Sequence, residues 1–225
     1  MALHLKSTIL LALLAATVSA DFSASFRNFI NATYGEARLT ALARTDLGAD
    51  GSYGGGNHDG LSQTNKRPII LVHGITNTAG TFTPQRNYFK SNGWTDETVY
   101  ATTYGAGPAV NVINVKMECG FVQQIRNMIE AVYQFTGQKV DVIGYSLGSP
   151  IARKAIMGGI CVDNVNVDLG GPLTNKVETY VSVADSRKPR HHPHQHRRNA
   201  EDSSGHSRLL KMIGIFVNFH CFWAH

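Results

Sequence analysis

The sequence predicts an α/β domain in which a parallel sheet carries helices on both faces. Three observations support this. Short apolar runs rich in β-branched residues recur along the chain and alternate with segments of helical period, the order that parallel strands and their crossover helices require. The first of these runs, Ile69-Ile70-Leu71-Val72, is apolar at every position, as suits a central strand buried on both sides. A longer segment, Cys119 to Thr136, puts Phe121, Ile125, Met128, Ile129, Val132 and Tyr133 on one helical face before Gly137 stops it.

The elements can be taken in order. Phe22 to Arg44 reads as mostly helical, with Phe22, Phe26, Phe29 and Ile30 at helical spacing. Gly48 to Gly60, GADGSYGGGNHDG, is too rich in glycine for regular structure and reads as a loop. The strand Ile69–Val72 follows, ending at His73-Gly74. A short helix is expected from about Gln85 to Asn92, with Gly93 behind it. Thr98 to Tyr104 reads as a second strand, ended by Gly105 and Gly107-Pro108. After the long helix, Lys139 to Gly144 forms the third strand. Pro150 to Met157 is then a helix, with proline in its first turn and Gly158-Gly159 past its end. Val177 to Ala184 makes a fourth strand. There the patterning stops, so the sheet is expected to be small and truncated after the strand at 177–184.

Both ends of the chain read differently from this domain. Lys6, the apolar run Ile9 to Val18 and the small residues Val18-Ser19-Ala20 predict a secretory signal peptide over residues 1–20; the run is too short to span a bilayer. The domain proper is then 21–184. Secretion makes Asn31-Ala32-Thr33 a plausible N-glycan acceptor, provided it is exposed. It also makes three cysteines an odd set in an oxidising compartment; Cys119 and Cys161 lie within the patterned region and are expected to pair, leaving Cys221 free. Residues 185–225 read as a basic, histidine-rich and disordered tail.

Most of the net charge of +5 belongs to that tail. Residues 1–184 hold 14 Lys and Arg against 13 Asp and Glu, whereas 185–225 hold 7 against 3, together with seven of the ten histidines. The charge therefore says little about what the domain binds. The tail's HHPHQH lacks the fixed spacing and rigid scaffold of a specific metal site, so no metal is expected. No aromatic residues interleave with its basic ones to stack bases, so no nucleic-acid partner is expected.

The stretch VDVIGYSLGSP carries the chemistry. A serine within Gly-Tyr-Ser-Leu-Gly, preceded by an apolar strand and followed by a helix, sits on a sharp strand-to-helix turn that lifts its hydroxyl above the sheet edge. Ser146 is therefore the candidate nucleophile. An oxyanion hole takes one backbone N–H from the residue after the nucleophile and one from the loop after an upstream strand. Those positions nominate Leu147 and, in His73-Gly74-Ile75, Ile75. His73, upstream of the serine and in that loop, is expected to play a structural hydrogen-bonding role and not to act as the general base.

RPIILVHGITNTAGTF, NYFKSNGW and VDVIGYSLGSPIARKAIMGG together resemble the class 2 lipases, small secreted enzymes with the α/β-hydrolase fold. The resemblance runs from about Asp21 to Ala184. It implies hydrolysis of carboxylic esters, typically acylglycerols, through a Ser-Asp-His triad without a cofactor, with transient contact with a lipid surface. Ser146 and the Ile75 and Leu147 amides match the family's motif positions. The family continues past the VSVA strand with segments that carry the acid and the histidine, whereas this chain turns at Asp185 into its basic tail. Asp185, directly after that strand, and one of His191, His192, His194, His196 or His206 could serve as acid and base, but none is matched by motif, and the abrupt loss of pattern at a strand end favours reading residues 185–225 as a foreign ending. If none does, the chain is a catalytically silent form that keeps the serine turn. An ester hydrolase acting through Ser146 is the leading expectation.

Overall fold

The computed structural model describes residues 21–109 and 115–183. Its centre is a five-stranded sheet in the order β1 (Ser52–Tyr53), β3 (Val99–Thr102), β2 (Ile69–Val72), β4 (Val140–Tyr145), β5 (Val177–Val183). Strand β2 (Ile69–Val72) pairs in parallel with β3 (Val99–Thr102) on one side and with β4 (Val140–Tyr145) on the other. Strand β5 (Val177–Val183) continues the sheet in parallel beyond β4. These are the four expected strands, each within a residue or two of its expected ends.

The fifth strand corrects the expectation that residues 48–60 form only a loop. Ser52 and Tyr53 form β1, antiparallel to β3 with Ser52 opposite Thr102 and Tyr53 opposite Ala101, so the sheet is mixed. Two residues amid glycines carry no period. Their strand conformation is imposed by neighbours: Ser52 Oγ donates to the Ala43 carbonyl at 2.7 Å, and the buried Tyr53 ring lies 4.4 Å beneath the Arg86 guanidinium.

The helical stretch after residue 20 also differs from expectation. Phe22 precedes the helix and bridges to Gly54. Ser23 caps α1 (Ala24–Tyr34) through its hydroxyl, and Gly35, with φ of 86°, separates it from α2 (Glu36–Ala43). Helix α3 (Thr83–Ser91) begins earlier than expected because Pro84 sits in its first turn. Helix α4 (Cys119–Thr136) matches the expected bounds. Helix α5 (Gly148–Met157) starts two residues earlier than Pro150, directly behind the serine.

Strand alternation divides the core between two faces. Ile70 and Val72 point with Tyr100, Val140 and Val142 into a cluster built from α1, α2, α4 and α5, whereas Ile69 and Leu71 point with Val99, Ala101 and Ile143 into a second cluster closed by Phe82 and Phe89. Helices thus cover both faces. Helix α4 buries Val122, Ile125, Met128, Ile129, Ala131, Val132 and Phe135, a wider stripe than its sequence suggested, while Phe121 and Tyr133 lie at its margin. Strand β5 is only half-buried along its length, with Val181 and Val183 on one face and Val177 and Tyr180 on the other. Among the described residues no helix is long and apolar enough to cross a membrane.

The turn after α5 is held to the head of α4. Cys119 and Cys161 are disulfide-bonded across 42 residues, and the Asp163 carboxylate accepts the Cys119 backbone N–H at 2.8 Å, capping a helix that has no side-chain cap of its own. Closing a loop of that length removes enough chain entropy from the unfolded state to stabilise the fold by about 4 kcal/mol. Cys119→Ser with Cys161→Ser should therefore lower unfolding stability by roughly that amount in urea titration. An unchanged midpoint would show that the bridge is dispensable.

Candidate active site

The site lies where the central strands end. Parallel pairing sets Val72 of β2 beside Gly144 of β4, so the loops leaving both strands emerge side by side. On β4 the chain then reverses within one residue. Ser146 has φ of 51°, a left-handed conformation that is costly for a residue bearing a side chain, and α5 begins two residues later. The turn is held by backbone hydrogen bonds to the end of β5 and within itself: Ser146 N–H donates to the Val183 carbonyl at 2.8 Å, and Ser149 N–H donates to the Ser146 carbonyl at 3.0 Å.

The two flanking glycines are needed for contact. A Cβ on Gly144 would lie 2.7 Å from the Ser149 Cα, and one on Gly148 would collide with the carbonyl oxygens of Val72 and His73. Both glycines therefore let α5 start pressed against β2 and β4. With Leu147 as its N-cap residue, α5 directs the positive end of its dipole at the serine.

The loop after β2 closes the other side. A Cβ on Gly74 would lie 3.0 Å from the Ser146 Cβ, so the His73-Gly74-Ile75 backbone passes directly against the serine. Ile75 and Leu147, the two residues nominated as oxyanion donors, thus occupy the two loops that meet at Ser146, and both are half-buried.

His73 is the structural post of this loop. Its ring is 2 % exposed and stacks on Tyr104 with centroids 4.0 Å apart and planes 7° from parallel. The Tyr104 backbone N–H donates to Nε2 at 3.0 Å, which leaves the proton on Nδ1, and Nδ1–H donates to the Gly74 carbonyl at 2.8 Å. The Tyr104 hydroxyl donates to the His73 carbonyl at 2.8 Å. Both ring nitrogens are engaged, in keeping with a structural role and not with that of a general base. Burial pushes the imidazole pKa down to about 4; the nearby Arg44 charge acts in the same direction, and the bond to the Gly74 carbonyl opposes it.

Tyr104 is itself held from behind. Arg44 Nη1 donates to the carbonyls of Thr103 at 2.7 Å and Gly105 at 2.6 Å, the residues on either side of it. Neither Tyr104 nor Arg44 was legible as a site residue, since their importance lies in contacts spanning 31 and about 60 positions. Among the described residues the one cluster with the make-up of a metal site is Cys119, Cys161 and Asp163, and its sulfurs are spent in the disulfide. Asp185, His191, His192, His194, His196 and His206, the candidate acid and bases, lie outside the described residues, as does Cys221.

The neutral His73 has a consequence for acid stability. Its folded pKa of about 4 lies below the ordinary histidine value near 6.5, so the unfolded chain binds more protons between those limits. Stability should therefore decline as pH falls from about 6.5 to about 4, by up to roughly 3 kcal/mol from this group, and level off below. Urea midpoints of the wild type should drop more steeply across that window than those of His73→Gln. Parallel pH dependences would show that His73 does not become protonated on unfolding.

A model of the class 2 lipases matches residues 66–194, a span that holds β2 to β5, the His73 loop and Ser146. Several solved structures are also similar. The mature lipase BlEst2 of Bacillus licheniformis is 17 % identical, with a TM-score of 0.41, 60 % of this chain covered and 46 % of that one. Aspergillus fumigatus lipase B is 14 % identical with a TM-score of 0.43, covering 61 % and 28 %. Native esterase 2 of Thermogutta terrifontis is 21 % identical with a TM-score of 0.39, covering 60 % and 47 %. The chain thus spans half or less of the length of these proteins. The family model covers more than half of the 225 residues, and the chain belongs to the class 2 lipase family, with its α/β-hydrolase fold.

Proposed function

We propose that this protein hydrolyses carboxylic esters, with acylglycerols as the substrate class, through Ser146. The observation that carries this reading is the left-handed Ser146 at the end of β4, with the Gly74 loop against its Cβ and the N-terminus of α5 behind it. Ser146 Oγ would attack the acyl carbonyl. The oxygen that becomes negative would be met by the Ile75 and Leu147 N–H groups, already fixed before substrate arrives. The alcohol leaves, an acyl-serine ester remains, and water releases the fatty acid and restores the serine. A base outside the described residues would take the serine proton and hand it to the leaving alcohol; Asp185 and the tail histidines are this chain's candidates for acid and base.

The purified full chain should turn over a p-nitrophenyl ester and be labelled by an organophosphonate, and Ser146→Ala should abolish both. Backbone oxyanion donors alone leave about 10³-fold acceleration over water, so residual turnover at that level is expected of the variant at most. A folded wild-type chain that neither turns over nor labels rules out the hydrolase reading.

We also propose that the protein is secreted. The Cys119–Cys161 disulfide suits an oxidising compartment, and Asn31, Ala32 and Thr33 are all exposed on the last turn of α1, as an acceptor site needs. Produced in a eukaryotic secretory host, the chain should lose mass on treatment with an N-glycan amidase, and Asn31→Gln should remove that shift. An untreated chain of unglycosylated mass in the medium counts against Asn31 as an acceptor, and retention inside the cell counts against secretion.

A further inference from the structure

The peptide between Gly74 and Ile75 carries one of the two N–H groups that the proposed chemistry needs. A trans peptide is planar, so holding its carbonyl also aims its N–H. The Gly74 carbonyl is held from two sides: His73 Nδ1–H donates at 2.8 Å, and Asn77 N–H returns to it at 3.3 Å. The second bond closes a four-residue turn from Gly74 to Asn77, with Thr76 at its third position. That position requires positive φ in a type II turn and is ordinarily glycine or asparagine. Thr76 occupies it with φ of 61°.

For a β-branched residue this is a true outlier, and packing does not account for it, because Thr76 is exposed. One contact does hold it: the Thr76 hydroxyl donates to the Ile75 carbonyl at 2.6 Å. Among the described residues, the other non-glycine residues with left-handed backbone are Arg44, which ends α2, and Ser146. Two strained residues therefore stand on the two loops that meet at the serine.

We propose that Thr76 is a positioning residue for ester hydrolysis. Its left-handed backbone brings Asn77 N–H onto the Gly74 carbonyl, and its hydroxyl restrains the next peptide, so the planes on both sides of Ile75 are preset. The Ile75 N–H is thereby aimed at the acyl oxygen before substrate binds, and no reorganisation is left for the reaction step. Glycine would adopt the same φ without strain but would allow the loop other conformations. Threonine trades stability for a single orientation. This inference rests on the hydrolase reading above.

The full chain, Thr76→Gly and Thr76→Ser should be compared by steady-state kinetics on a p-nitrophenyl ester and by urea denaturation. Thr76→Gly should keep or raise the denaturation midpoint while kcat falls about tenfold with KM little changed, less than the loss of a whole oxyanion donor. Thr76→Ser, which keeps the hydroxyl, should recover most of the lost kcat. Wild-type kcat in Thr76→Gly overturns the proposal, as does a fall in kcat that tracks a lowered midpoint and is not recovered by serine. A wild-type chain that neither labels at Ser146 nor turns over removes the hydrolase reading itself, and this inference with it.

Discussion

The parallel register of β2 on β4 is the constraint from which the site follows. Because Val72 lies beside Gly144, the two strands end at one level, and the loops that leave them have nowhere to go but against each other. Everything near Ser146 uses that alignment. Gly148 lies against the Val72 and His73 carbonyls, and Gly74 lies against the Ser146 Cβ. A slip by one residue would reverse the faces of a strand and break both contacts, and the two separate apolar clusters oppose such a slip.

A site assembled this way places residues in conformations they would not choose alone. Ser146 and Thr76 both have left-handed backbone near the site. Such strain persists only where the surroundings over-determine it, and here the restraints are specific. Ser146 is held by the Val183 carbonyl and by the first turn of α5. On the other loop, His73 is wedged between its stack on Tyr104 and its bond to Gly74, while Arg44 holds the backbone on either side of Tyr104. Keeping His73 neutral matters to this arrangement: Nε2 must accept from Tyr104, and a protonated ring could not.

How far the site could be read in advance follows from how local each contact is. The Gly-x-Ser-x-Gly turn was legible because strand, turn and helix are contiguous. Cys119–Cys161 was legible from the cysteine count and the patterned region. The two-residue strand at Ser52 was not, since nothing in GADGSYGGGNHDG sets it apart until β3 lies alongside. Thr76 was hidden for the opposite reason: its residue type argues against the conformation it holds. Phe22, read as the first helical residue, instead bridges to Gly54, because the Ser23 cap outweighs the apolar spacing.

The sequence by itself determined four of the five strands and the main helices, which serine stands at the turn, and which residues flank it, because each of these depends on neighbours along the chain. Only the tertiary structure decided the mixed sheet, the division of the core between two faces, the tautomer of His73 and the left-handed turn at Thr76. These depend on groups tens of positions apart, brought together by strand register and by the exclusion of water around the buried imidazole.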